Sequence, residues 1–168
     1  SDLPTYTFSN EPVQARAMRK RDISNLRRWH RNAALRSKAA GFDIVYVYGA
    51  HGLGAPQHFL SRRYNQRTDE YGGNLKNPAR LLVELIEDTK DAVGDTCAVA
   101  CRIGVDELIG EEGINREEML ELFSEISELP DLWDLTLCSW DIDSRTSRFG
   151  EECHQEPFVT GFKQLTSK

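Results

Sequence analysis

Residues 44–52 read Ile-Val-Tyr-Val-Tyr-Gly-Ala-His-Gly. A run of β-branched and aromatic residues closed by glycines is the pattern of a strand that stops at a turn. Glycine alone would end such a strand, yet this one ends on Tyr48 and His51, side chains that donate or titrate protons. Either they cap a well-packed strand end or they belong to a site, and the flanking sequence has to decide.

Upstream, Ile23, Leu26, His30, Ala33, Ser37 and Ala40 recur at three- and four-residue intervals, which predicts a helix over 21–40 with Gly41 at its C-terminal cap. The strand at 42–48 follows at once. Asn77 as cap and Pro78 in the first turn announce a second helix that carries Leu81, Leu82, Leu85 and Ile86 and runs out at Gly94. A strand is predicted at 97–103. A third helix opens with a capping box, Asn115 and Glu118, and places Met119, Leu122, Phe123 and Ile126 on one face. After Pro130 comes a strand at 132–138, and Pro157 starts a short final helix.

This alternation predicts an α/β fold with parallel strands joined by helical crossovers. An open doubly wound sheet and a piece of a TIM (β/α)8 barrel both fit; a whole barrel needs about 200–250 residues or more, so a barrel here would be partial, with about three strands and flanking helices. The long connections, 49–76, 104–115 and 139–156, all follow strands, and in parallel α/β folds the chemistry gathers on that face. Tyr48, His51, Arg102, Trp140, Asp141 and Asp143 therefore share one rim. In Cys97–Ile103, alternation sets Cys97, Val99, Cys101 and Ile103 on one face and Ala98, Ala100 and Arg102 on the other. An arginine on a narrow, alanine-lined face is either a functional group or half of a buried ion pair.

The 168 residues suffice for one domain with a core, since a chain of this size buries roughly two thirds of its unfolded surface. Twenty-one basic against 27 acidic residues give a net charge of −6, with no cation surplus for a phosphate backbone, so nucleic acid is excluded as a partner. No apolar stretch approaches the ~20 residues that span a bilayer, and no membrane partner is expected. The four cysteines, Cys97, Cys101, Cys138 and Cys153, lack metal spacing and read as buried, reduced thiols of a cytoplasmic protein. Ser1 opens the sequence without methionine and Lys168 closes it directly after a predicted helix, so both ends are expected to lie inside a longer protein.

Other motifs carry little. Gly52-Leu53-Gly54 follows a strand, but Gln57 stands at the third glycine position of a dinucleotide-binding fingerprint, with Pro56 before it. His30, His58 and His154 have no metal spacing and read as isolated histidines. The acidic loop Asp106–Gly113 lacks the alternating oxygen ligands of a calcium site. Tyr48 and His51, with Asp143 supplied from another strand end, differ in kind. Such a group can pass a proton or polarise a substrate amine or carbonyl.

Three blocks, AGFDIVYVYGAHG from Ala40, FLSRRYNQRTDEYGGNLKNPARLL from Phe59 and VACRIGVDEL from Val99, resemble the Old yellow enzyme-like flavin oxidoreductases, which are FMN-binding (β/α)8 barrels. The likeness runs essentially from end to end. Enone reductases of that family usually carry histidine at the place of Tyr48; Tyr-Gly-Ala-His is similar instead to the trimethylamine, dimethylamine and histamine dehydrogenases. The resemblance implies a catalytic group of Tyr48, His51 and Asp143, an aromatic pocket wall at Trp140, and Arg102 beside the N1 and C2 edge of FMN. It also implies a small amine substrate, a protein electron acceptor and a homo-oligomer. Leu53 stands where relatives often have another tyrosine, which alters the expected pocket; Pro78 replaces a residue that is usually arginine-like, a change expected to be structural.

Residues 1–168 would then be one segment of a single barrel domain, about strands four to six with flanking helices. The FMN phosphate loops after strands seven and eight, the flavin-attaching cysteine and an iron-sulfur cluster in the C-terminal part would all lie outside it, leaving the isolated stretch inactive. An enone or 2,4-dienoyl-CoA reductase of the same fold, and a stand-alone non-catalytic partial barrel, are the alternatives.

Overall fold

A computed structural model describes residues 4–6, 12–74, 76–137, 140 and 148–168. A short antiparallel hairpin, β1 (Pro4–Tyr6) and β2 (Pro12–Gln14), precedes α1 (Lys20–Ala39). Then come β3 (Ile44–Gly49), α2 (Ala55–Leu60), α3 (Lys76–Val93), β4 (Ala98–Gly104), α4 (Arg116–Ile126), β5 (Leu132–Thr136) and a short α5 (Glu156–Val159). Two helical crossovers, α2 with α3 and then α4, join parallel strands in the order β3-β4-β5, a segment of a TIM-barrel wall.

The elements predicted from periodicity are all present, with small shifts. β3 begins two residues late, because Phe42 and Asp43 turn out of the helix cap. Gly41 supplies the left-handed residue there, at φ +81°. Helix α3 starts one residue before Asn77, so the capping oxygen comes from Asn74, whose Oδ1 accepts from the Asn77 amide at 3.2 Å. Pro78 sits in the first turn of α3, a structural position. Half of the capping box at α4 forms: Asn115 Oδ1 accepts from the Glu118 amide at 3.0 Å, whereas the Glu118 carboxylate turns to Arg62. Helix α2 and the β1-β2 hairpin were not foreseen. Both are too short for a periodic signal to rise above that of a loop.

Alternation divides the sheet. On one face Val47, Val99, Cys101 and Ile103 pack under α1, α3 and α4 with Ile23, Leu81, Leu82, Leu85, Ile86 and Phe123, all buried. The Phe123 ring packs against Trp133 and Phe162 at centroid distances of 4.9 and 5.1 Å, so α4 is keyed to β5 and to the chain end. Among the described residues no helix covers Ile44, Tyr46 or Leu132 on the other face, and Ile44 and Tyr46 are nearly half exposed, at 47% and 46%. Cys97 and Cys101 are buried as read from the sequence. Cys153 is not: it lies exposed in the turn before α5, in a left-handed conformation that no core strand supplies. Cys138 lies outside the described residues.

Charges register α1 on α3. The Arg27 guanidinium donates through Nε and Nη2 to both oxygens of Asp88, at 2.7 and 3.0 Å, and reaches Glu84 at 3.1 Å; the Tyr71 hydroxyl donates to the same Glu84 at 2.9 Å. These groups are partly buried, and a forked arginine–carboxylate contact exceeds a surface pair in worth. Arg27→Met is expected to lower stability by about 1.5–3 kcal/mol, the range for hydrogen bonds to charged groups. Arg27→Lys should recover little, because an ammonium cannot make the forked contact. Arg31→Met should cost less than Arg27→Met, about 0.5–1.5 kcal/mol for one neutral hydrogen bond, because it loses only the Asp88 carbonyl at 3.1 Å and a carboxylate partner, Asp91, that is 74% exposed. Urea unfolding of the three variants would check the ranking.

Candidate active site

At the C-terminal end of β3 the backbone makes an abrupt change. Gly49 lets the chain pass close to α2, where an added Cβ would meet Pro56 Cβ at 3.3 Å. His51 and Gly52 both adopt left-handed backbone conformations, with φ of +60° and +70°. For glycine this costs little; for histidine it is a sparsely populated region that must be held by its surroundings. The turn folds the His51 side chain back over its own strand, and Nδ1 hydrogen-bonds the Tyr48 phenol oxygen. The imidazole is 4% exposed, and the Trp140 ring meets it edge to face, at a centroid distance of 5.4 Å and an interplanar angle of 88°. Trp140 itself is 46% exposed, leaving indole surface open beside the pair.

The open face of the sheet carries a polar row. In the parallel register Tyr48 lies opposite Arg102, and Arg102 opposite Asp134. Arg102 Nε stands 3.6 Å from Asp134 Oδ2, close enough for attraction but too far for a hydrogen bond; this buried N–H has no hydrogen-bond partner among the described residues. Thr136 Oγ1, two residues beyond Asp134 on the same face, is also buried without one. Buried donors left in this state call for an acceptor on the open face. A flavin, whose N1 and C2 carbonyl edge is an acceptor and becomes negative on reduction, fits that donor set.

Of the residues singled out in the sequence, Tyr48, His51 and Trp140 are brought together, and Arg102 lies one strand away in register with Tyr48. Asp143 and Asp141 lie outside the described residues. Among the described residues no group of three or more His, Cys, Asp or Glu side chains could hold a metal, and no helix is long and apolar enough to cross a membrane.

A buried polar network behind the turn escaped the sequence reading. Gln57, 1% exposed, accepts the Gly52 amide on Oε1 at 2.7 Å and donates to Glu107 Oε1 at 3.4 Å. Glu107, at the mouth of the loop after β4, also accepts from the Ser61 hydroxyl at 2.6 Å and from the Ile114 amide at 2.8 Å. His58 donates through Nε2 to the Gly52 carbonyl at 2.9 Å and stacks on Tyr64 at 4.3 Å, so it is a brace and not an isolated histidine. One available signal was Gln57 itself, an amide inserted between Pro56 and the apolar Phe59-Leu60.

The chain belongs to the NADH:flavin oxidoreductase / NADH oxidase family, whose profile matches residues 2–168. Histamine dehydrogenase from Rhizobium sp. 4-9 superposes on the whole chain with a TM-score of 0.91 and 56% identity. The 6-hydroxypseudooxynicotine amine oxidase of Pseudomonas geniculata N1 superposes on 97% of it, with a TM-score of 0.85 and 46% identity. Among curated sequences, dimethylamine dehydrogenase from Hyphomicrobium sp. (strain x) is 37% identical over 172 residues, 98% of this chain. The chain spans 24% of the length of each of those two structures and 22% of that curated relative.

Burial holds the His58 imidazole below its ordinary pKa, outweighing the opposite pull of the Gly52 carbonyl and Glu107; burial does the same to His30 between α1 and α3. A depressed folded-state pKa means that the unfolded chain takes up the proton first. The linked stability is therefore present above the unfolded value, about 6.5, and is lost as pH falls from there through the folded value. Thermal melts between pH 8 and pH 5 should show this decline, and His58→Asn, which keeps a donor without titrating, should flatten part of it.

Proposed function

We propose that this chain supplies strands four to six of the barrel of an FMN-dependent amine dehydrogenase, and with them the flank of the flavin where the amine is oxidised. The observation that carries the reading is the Tyr48–His51 hydrogen bond, held at the strand's C-terminal end beneath the half-open face of Trp140. Family membership and the likeness to proteins named as amine dehydrogenases support it. When bound, FMN accepts the two electrons and the hydrogen that leave the amine's α-carbon.

The chain's own residues prepare that event. An alkylammonium is attracted to the indole face of Trp140, worth about 0.5–2 kcal/mol. Only a neutral amine nitrogen has the lone pair that drives oxidation at the α-carbon, so the ammonium must lose a proton. The Tyr48–His51 pair offers a hydrogen-bonded route for that proton, and Asp143, in this proposal, stabilises the imidazolium that receives it. Arg102, whose Nε–H has no hydrogen-bond partner among the described residues, would hold a bound flavin at an acceptor edge and place positive charge where negative charge gathers on reduction. Leu53, half exposed at 50% beside this turn, is the position at which the pocket would differ from that of relatives with a tyrosine. The iron-sulfur cluster and the site for a protein electron acceptor belong to segments outside this chain.

His51→Gln and Asp143→Ala are each expected to slow flavin reduction by ~100-fold or more, as for loss of a positioned acid–base group. Trp140→Leu should mainly weaken amine binding, by the ~0.5–2 kcal/mol of a cation–π contact. Stopped-flow reduction of the full-length enzyme by histamine and by dimethylamine separates the two effects. An unchanged reduction rate in His51→Gln would return Tyr48 and His51 to being a well-packed strand end.

A further inference from the structure

We propose that Gln57, backed by Glu107, is a positioning residue that holds the Tyr48–His51 pair in its working geometry by clamping the Gly52 peptide from behind. The proposal rests on the proton-handling role assigned to that pair.

The Tyr48–His51 hydrogen bond requires the left-handed backbone at His51, which a non-glycine residue keeps only when its surroundings hold it there. Something must hold the peptide that follows. Both polar groups of Gly52 are engaged by consecutive residues of α2: its N–H by Gln57 Oε1 at 2.7 Å and its carbonyl by His58 Nε2 at 2.9 Å. Of these two, Gln57 is almost wholly buried and is fixed from its other end, since its amide N–H reaches Glu107. Glu107 is fixed in turn by the Ser61 hydroxyl and the Ile114 amide, and its own amide donates to the Ile114 carbonyl at 2.9 Å. The chain of contacts runs from the loop after β4, through α2, to the turn after β3.

An amide is the chemistry this position requires. One end must accept from a backbone N–H and the other must donate to a carboxylate, a pairing that neither a carboxylate nor an apolar side chain supplies. Loss of the acceptor would leave the Gly52 N–H without its partner in a part-buried turn, which favours relaxation of the His51 backbone. Displacements of about 1 Å at reacting groups cost up to two orders of magnitude in rate.

The test uses the full-length holoenzyme with Gln57→Leu, Gln57→Glu and His51→Gln. Gln57→Leu should slow flavin reduction by saturating histamine or dimethylamine at least ~10-fold, with the dissociation constant for the amine within about threefold of wild type and a shifted pH midpoint. Gln57→Glu is the conservative rescue. Titratable groups near it are Glu107 from the loop after β4, His58 on its own helix and His51 across the clamped peptide. Beside Glu107 the introduced carboxyl has a raised pKa. Protonated, it accepts from Gly52 and donates to Glu107, so reduction should be near wild type at low pH and fall as pH rises through that pKa, a limb absent from wild type. Flavin-monitored melts at the same pH values should not fall in step with the rate; a parallel fall would make Gln57 merely structural and overturn the proposal.

A crystal structure of Gln57→Leu is informative whatever the substrate. His51 leaving the left-handed region or parting from Tyr48 supports the clamp, and an unmoved pair overturns it. The two readings separate cleanly. Insensitivity of reduction to His51→Gln removes the proton-handling role, and the clamp with it as a functional device. Sensitivity to His51→Gln together with an unchanged rate and pH profile in Gln57→Leu removes the clamp alone.

Discussion

The two-residue alternation along β4 is the constraint on which the molecule turns. This strand is hydrogen-bonded on both sides, so its register dictates which residues of β3 and β5 share each face. Val99, Cys101 and Ile103 commit one face to the helices; Ala98, Ala100 and Arg102 make the other narrow and polar at one end. A slip of one residue would turn Arg102 into the helix-packed core and set Cys101 in the place of the guanidinium, so the core and the site are fixed by one choice. Apolar burial thereby enforces the polar row from Tyr48 through Arg102 to Asp134.

The legible part of the sequence follows from the same logic. Helices α1, α3 and α4 and the three parallel strands announced themselves because each must repeat an apolar residue at its own period to cover that face. Tyr48, His51 and Arg102 stood out because their chemistry interrupts such a period. Trp140 was reached by counting from a strand end and by family likeness. Gln57, Ser61 and Glu107 were not legible, for a physical reason: they satisfy one another across separate loops, and a pairing of residues 46 to 50 positions apart leaves no local pattern. In sequence the acidic segment around Glu107 shows only that it lacks calcium-loop spacing; the structure surrounds one of its carboxylates with Ser61 and the Ile114 amide. Helix boundaries moved where a neighbouring asparagine, Asn74, was the better cap than Asn77.

Two kinds of order therefore meet at the rim. The strand ends are fixed by apolar packing, which is strong but indifferent to the direction of a hydrogen bond. The turn after β3 is fixed by a small set of directional bonds, in which each buried donor has one acceptor. The first kind sets where the site lies, and the second sets how His51 faces Tyr48. Arg102 stands at the boundary: placed by the sheet, drawn toward Asp134, and left with one N–H for which the described residues supply no acceptor.

The cysteines draw a further consequence from the burial pattern. Cys101 is fully enclosed between the sheet and its helices, and burial pushes its thiol far above the usual range, so the nucleophilic thiolate is suppressed. Cys97 is buried at the start of the same strand, donating its S–H to the Phe42 carbonyl at 3.1 Å, while Cys153 faces solvent. Alkylating reagents thus meet two chemically distinct classes of thiol in one chain. Modification at Cys153 reports the folded surface, whereas modification at Cys101 requires the central strand to leave its helices, which makes that sulfur a built-in clock for the opening of the core.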